Sequence, residues 1–369
     1  MSALITTPLT EYEIELGAKM VPRAGWNVPL SYPEGIVAEH RHTRTLCSVF
    51  DLCASGKLRV AGEGAAAALD GWFARPVADL EPGRCRRNLL LNEKGGVLGA
   101  PLVARMAEED FLLLAEPEFD AGGLGRIREL CAGRGVETLD LTRLLAQLAL
   151  AGPKSRVVLE EELHVHDLPD YGCVRTVEVD GFRAIAVHAG STGEDAFSLL
   201  FNLDYADQLW DLLLETEPVM PAGYGARESL RLEMGFPACG SELTAEFTPA
   251  ESGLGTLLHP EEPREFIGRA ALGSRFPEQR LFGVRLDGRR AAREGALVLN
   301  ARDEVIGRVT SGSFCPSLDT AAALCRLVAA CVEPEELLRF EVSGAVLTGK
   351  IAPLPFYDGG SAPGEWWLP

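Results

Sequence analysis

"VRTVEVDGFRAIAVHAG", residues 174–190, is the stretch on which the fold turns. Apolar and polar residues alternate on both sides of Asp180-Gly181, and an Asp-Gly pair supplies the positive φ of a two-residue hairpin turn. Upstream, "LLAQLALAG" (144–152) reads as a strand and "PKSRVVLEEEL" (153–163) as a helix with Pro153 at its start. Downstream, "EDAFSLLFN" (194–202) reads as a strand and "YADQLWDLLLE" (205–215) as a helix. The same order occurs earlier. "KLRV" (57–60) is a strand, "GAAAALDGWF" (64–73) a helix, and "LLLNEKGGVLGAPLVARM" (89–106) a hairpin. "EDFLLLAEP" (109–117) is a strand and "AGGLGRIRELC" (121–131) a helix. Two such units predict an α+β region made of two related halves, each ferredoxin-like in its order of elements.

Ahead of the first unit, Thr10 and Glu13 form a capping box that opens a short helix, and Gly17 stops it. From about residue 280 the texture changes. "RLFGVRL", "GALVLN", "EVIGRVTSG", "ALCRLVAACV" and "RFEVSGAVLTGKIAPLPF" are short strands with glycine punctuation, which predicts a separate all-β barrel or sandwich. The expected division is therefore 1–279 for the α+β region, with inner boundaries near 50 and 140, and 280–369 for the β domain.

The 369 residues carry a net charge of −19 and are 47% hydrophobic. Such a surface repels phosphate backbones and anionic lipid, which argues against nucleic acid and membranes as partners. The nine cysteines include no CxxC pair, so free thiols in a reducing cytoplasm are expected. No basic and apolar leader opens the chain. His40 and His42, like His164 and His166, stand two apart; the first pair falls in a predicted helix where i,i+2 side chains diverge, and no metal site is expected.

Two segments carry candidate chemistry. In "HAGSTGEDAFSLL" (188–200), Glu194 follows a sharp glycine turn at the start of a strand. A carboxylate there is able to accept two parallel N–H bonds from a flat heterocycle edge; its other reading is a solvated acid. In "PAGYGARESLRLEMGFPACGSEL" (221–243), Arg227 lies in the first turn of a helix, placed to hold a carboxylate or carbonyl, or else to pair with Glu228 or Glu233.

At these residues the chain resembles the glycine cleavage system T-protein (aminomethyltransferase) family. The resemblance runs from about Thr7 to Phe356 through "MVPRAGWNVPLSYPEGIVAEHRHTR", "FDLCASGKLRV", "LLLNEKGG", "LALAGP", "STGEDAF", "GARESLRLEMG", "TPAESGLG", "FIGRAAL" and "IGRVTSGSFCPSL", in the family's order. It implies a three-lobed folate-binding aminomethyltransferase fold with a C-terminal β-barrel, and tetrahydrofolate as co-substrate without a metal. Glu194 then looks like the pterin-binding carboxylate and Arg227 like a nearby folate-site residue. The family takes an aminomethyl group from a lipoyl arm on the H-protein, releases ammonia and forms methylene-tetrahydrofolate.

The chain departs from its family at the presumed reaction centre. Where the family reads roughly "GGILDDLIV", with one Asp as catalytic acid, this chain reads "GGVLGAPLV", and Gly99 and Ala100 stand at both acid positions. Cys53-Ala54-Ser55 replaces a Ser-His-Met, Asn88 stands where an aromatic is usual, and Ser191 replaces a Tyr. Glu93, Asp51 and Glu251 are the acids able to take over if the fold brings one of them to the site. The resemblance supports a tetrahydrofolate-dependent aminomethyl or methyl transferase with an altered donor. The alternatives are a non-catalytic folate-binding or regulatory paralogue and a scaffold that binds no folate.

Overall fold

The computed structural model describes residues 3–120, 123–132, 135–258, 264–274, 277–333, 335–342 and 344–363. The chain divides into two compact units, one of 1–89, 100–227 and 360–369, the other of 90–99 and 228–359.

In the first unit eleven strands form two sheets, five in one and six in the other. In chain order they are β1 (Cys47–Asp51), β2 (Gly56–Ala61), β3 (Cys85–Arg87), β4 (Leu102–Ala107), β5 (Asp110–Ala115), β6 (Glu137–Asp140), β7 (Leu145–Ala151), β8 (Val174–Val179), β9 (Phe182–His188), β10 (Ala196–Asn202) and β11 (Val219–Pro221). The five-stranded sheet runs β6-β2-β5-β4-β3 and the six-stranded sheet β8-β9-β10-β7-β1-β11. The series β2-β5-β4-β3 matches β7-β10-β9-β8 strand for strand, so the repeated order is a repeated sheet, but the hairpin expected over 89–106 is not its hairpin: β3 lies upstream at Cys85–Arg87, and of the expected stretch only the part in β4 joins this sheet. The halves interleave, because β1 precedes the first half yet pairs with β7 of the second.

The hairpin at Asp180-Gly181 forms as expected. Val179 pairs with Phe182, and both turn residues have positive φ, 47° and 78°. Two local expectations fail for physical reasons. Thr10 does not cap the first helix; it lies inside Thr10–Glu15, and its hydroxyl accepts from the Thr7 N–H at 2.9 Å. Glu13 therefore does not reach back along the helix but turns inward to Tyr32. The predicted helix at 153–163 is one α turn, Ser155–Val157, followed by a π turn, Val158–Glu162, in which Leu163 N reaches back to Val158 O. Of the helix expected over 121–131, Gly123–Cys131 is formed, and residues 121 and 122 lie outside the described residues.

Alternation gives the six-stranded sheet two different faces. Ala146, Leu148 and Leu150 of β7 and Phe197, Leu199 and Phe201 of β10 pack with Leu209, Trp210 and Leu213 of the helix Ala206–Glu215 in a dry core. On the opposite face Val187 and Leu200 meet Leu102, Ala104, Leu112 and Leu114 of the five-stranded sheet.

In the second unit, Gln279–Leu286, Leu297–Leu299, Val305–Cys315, Thr320–Val328, Leu337–Val342 and Ala345–Ala352 form a closed barrel. The hairpin of Leu90–Leu91 with Val97–Gly99 belongs to this unit because Val97 N donates to Phe247 O and Asn92 Nδ2 to Ala245 O. Gly96 is required there, since a Cβ would lie 1.9 Å from Ala245 O. Among the described residues no helix is long and apolar enough to cross a membrane.

Burial raises the Glu13 carboxyl to about 9, with Asp51 nearby adding to the effect, and its Oε2 has no hydrogen-bond partner among the described residues. A raised folded-state value means that this carboxyl is neutral in the fold when the unfolded chain is already ionised. Its contribution is therefore most favourable below pH 4.5 and is lost as pH climbs to about 9. Glu13→Gln should remove that loss. Urea midpoints compared at pH 5 and pH 8.5 should show the variant gaining on the wild type at the higher pH; a constant difference would refute the assignment.

Candidate functional site

The cavity face of the six-stranded sheet carries Phe50, Gln147, Ala149, Ala151, Ala196 and Ser198. Ala149 pairs with Phe50 on one side and Ser198 on the other, and Ala151 pairs with Ala196. The small side chains leave room above the sheet. Leu102 and Leu114 close one wall, the loop from Ala189 to Thr192 another, and Arg87, Glu116 and Arg227 bring charge. A second cavity shares Phe50, Leu52, Ser55 and Arg227 with the first. Its own wall has Arg23, whose guanidinium lies 3.4 Å from the Tyr224 ring centroid and pairs with Glu118.

Arg227 stands where the two cavities meet. The chain entering its helix, Tyr224–Glu233, is fixed by backbone bonds to buried groups: Gly223 N donates to Glu39 Oε2 at 2.9 Å and Ala222 N to Val49 O. Glu39 also accepts from Tyr32 N at 2.6 Å; burial raises its carboxyl, while these two bonds hold it down. Arg227 itself is held loosely. Its Nη2 lies 3.5 Å from Glu116 Oε1 and 3.4 Å from Ser191 Oγ, the outer edge of hydrogen-bond distance. The expected pairs with Glu228 and Glu233 are not what it makes.

Glu194 is placed differently from the sequence reading. It is 2% exposed and is not on the cavity wall. Its Oε1 accepts from Arg44 Nη1 at 2.7 Å, in a pair whose side chains are 4% and 1% exposed. Its Oε2 accepts from Ser361 N at 3.0 Å and from the Ser361 hydroxyl. Arg44 also donates to Thr192 O. The sequence reading set this carboxylate against a heterocycle edge; in the fold its oxygens hold Arg44 and the C-terminal segment. That segment lies close on the loop. Ala362 N donates to Gly193 O at 3.1 Å, and a Cβ on Gly360 would sit 2.2 Å from Gly193 O. What reaches the cavity from this loop is Ser191 and Thr192.

Gly99 and Ala100, where the sequence reading expects the family's acids, are buried, and Ala100 does not line the cavity. Arg87 does, and its Nη1 donates to Ala100 O at 3.2 Å. Asn88, read in the sequence as part of the site, bonds to the Arg75 backbone instead. Of the substitute acids, Glu93 is exposed in the hairpin turn, and Glu251 accepts from Thr248 in the second unit. Asp51 borders the smaller cavity. It pairs with Leu148, on the core face of the sheet, its Oδ1 accepts from Cys53 N, and burial raises its carboxyl. The carboxylate on the larger cavity's wall is Glu116, which the sequence reading missed. Gln147, Ser198 and Arg87 were missed too, although a Gln among the alternate positions of "LAQLALA" was a visible signal. Among the described residues no group of three potential metal ligands occurs.

Because Arg44 and Glu194 are both buried, removing one partner should leave the other uncompensated. Glu194→Ala and Arg44→Ala should each lower unfolding free energy by about 3–5 kcal/mol. The Arg44→Ala/Glu194→Ala double variant should lose clearly less than the sum. Additive losses in urea titrations would exclude the coupling.

Comparison with known proteins agrees with this architecture. Residues 9–261 match the model of the GCVT N-terminal domain, and 279–358 that of the glycine cleavage T-protein C-terminal barrel domain. An aminomethyltransferase of Thermus thermophilus is 36% identical over 352 residues, covering 95% of this chain and 98% of its own length. One from Saccharopolyspora erythraea is 34% identical over 365 residues, with 97% and 99% covered. The crystal structure of the glycine cleavage system aminomethyltransferase T from Bartonella henselae superposes with a TM-score of 0.90 at 29% identity, covering 97% of this chain and 99% of that one. By sequence over nearly its whole length and by fold, the chain belongs to the glycine cleavage T-protein (aminomethyltransferase) family.

Proposed function

We propose that the larger cavity is a folate site anchored by Arg227, and that the chain moves a one-carbon group to or from tetrahydrofolate with an altered donor. The observation that carries this reading is Arg227 itself, a guanidinium at the junction of two cavities whose contacts are all long. A folate is a flat ring with an anionic tail. Small and apolar residues of the sheet suit the ring, and a loosely held guanidinium suits the carboxylates. Glu194 acts on this site at one remove, by holding the loop that presents Ser191 and Thr192.

The altered donor follows from charge. A family acid at position 99 or 100 would steer protons and stabilise a cationic, iminium-like centre. Here Arg87 is bonded to the Ala100 carbonyl, and a guanidinium at that place disfavours a cation and favours an anionic group. Glu116 is the carboxylate left to handle a proton. An H-protein lipoyl arm remains a candidate carrier. The nine free thiols suit a reducing cytoplasm, and the net charge of −19 suits neither nucleic acid nor anionic membranes.

A second reading, a folate-binding protein without turnover, is favoured by the vacant acid positions alone.

Titration calorimetry with folinate tests the site. Binding to the wild type, weakened about tenfold or more by Arg227→Ala, is expected. Transfer from aminomethylated H-protein should be slower than in an acid-bearing relative by a factor on the order of 10²–10⁴. Normal turnover would overturn the altered-donor reading, and folinate binding with no turnover on any donor would favour the second.

A further inference from the structure

Gln147 is 4% exposed and lines the larger cavity on a strand face whose other positions there are Ala149 and Ala151. Its Nε2 donates to Ser198 Oγ at 3.4 Å, and its Oε1 is buried with no hydrogen-bond partner among the described residues. An amide left half unpaired in a strand is destabilising on its own account, so its presence needs a reason outside packing. Ser198 accepts from Gln147 and so keeps its own proton to donate. Beside the cavity the pair thus holds one buried, unpaired acceptor, Gln147 Oε1, and one available donor, the Ser198 hydroxyl.

We propose that Gln147 and Ser198 read the lactam edge of a ring ligand, its N–H donating to Gln147 Oε1 and its adjacent C=O accepting from Ser198. This rests on the folate reading to the extent that a pterin has such an edge, at N3–H and C4=O. It also goes further, because it states which edge is read. A carboxylate presents two acceptors and selects an amidine edge, the 2-amino group with N3–H. A neutral amide–hydroxyl pair presents an acceptor beside a donor, ignores the 2-amino group and requires the carbonyl. The floor beside the pair suits a flat ring, since Ala149 separates Phe50 from Ser198 across the sheet. The site therefore selects oxo-pteridines as a class, pterins and lumazines alike, and rejects 2,4-diaminopteridines.

Three ring probes test this on the full chain: 6,7-dimethylpterin, 6,7-dimethyllumazine and 2,4-diamino-6,7-dimethylpteridine, with folinate in parallel. The pterin and the lumazine should bind within about threefold of each other, and the diamino compound about tenfold more weakly or worse. Gln147→Leu and Ser198→Ala should each weaken lumazine about tenfold, with circular dichroism unchanged and with melting of Gln147→Leu no lower than that of the wild type. Gln147→Glu should reverse the preference toward the diamino ring. Equal binding of the diamino ring and lumazine, lumazine binding indifferent to Gln147→Leu, or no binding of any ring overturns the proposal. Should Gln147→Leu fail to fold, the wild-type ring series decides alone. Folinate binding untouched by Gln147→Leu would overturn the edge assignment and leave the folate site standing. Lumazine binding without folinate binding would do the reverse.

Discussion

The period of two along β7 and β10 is the constraint on which the rest of the first unit depends. One set of side chains, Ala146, Leu148 and Leu150 with Phe197, Leu199 and Phe201, must be apolar because it packs under a helix. The other set is released from that demand. Chemistry is concentrated there, on Gln147 and Ser198, among alanines small enough to leave space. A shift of one residue in either strand would exchange the two sets and lose core and cavity together. The tight Asp180-Gly181 turn fixes the register of the adjoining hairpin, β8 with β9.

Charge sets the chemical character of the cavity. Two guanidiniums, Arg87 and Arg227, and one carboxylate, Glu116, face a wall that is otherwise neutral. A family enzyme that stabilises a cation needs the opposite balance at its centre. The scaffold is that of the aminomethyltransferase family, and the charges that line the cavity are read from this chain alone, so fold and activity have to be argued separately.

Much of the architecture was legible in the sequence because it depends on local order. The Asp-Gly hairpin and the short strands beyond residue 280 became the elements expected, while the two series kept their strand order but not every element: Cys85–Arg87 replaces the strand expected at 89–91, and the helix expected over 153–163 is a single α turn and a π turn. Site residues were less legible. Glu194 was read correctly as a carboxylate at a sharp turn, but its partners lie far along the chain, at Arg44 and Ser361, and no local pattern announces them. Thr10 and Glu13 matched a capping box in spacing, yet burial drew Glu13 to Tyr32 instead. Arg87 escaped notice because the sequence reading singled out its neighbour Asn88, which lies just past β3 and bonds to the Arg75 backbone.

Ser361 is 167 residues beyond the Glu194 carboxylate that it caps. During synthesis the first unit's strands are complete long before residues 360–363 exist, and for all that time Glu194 has Arg44 but not its second set of donors. The Ser361 contact therefore forms only after every strand of both sheets has been synthesised. A chain lacking residues 360–363 would possess every strand of both sheets and still lack the clasp on the loop that borders its cavity, so the border of the site depends on a segment that adds nothing to either sheet.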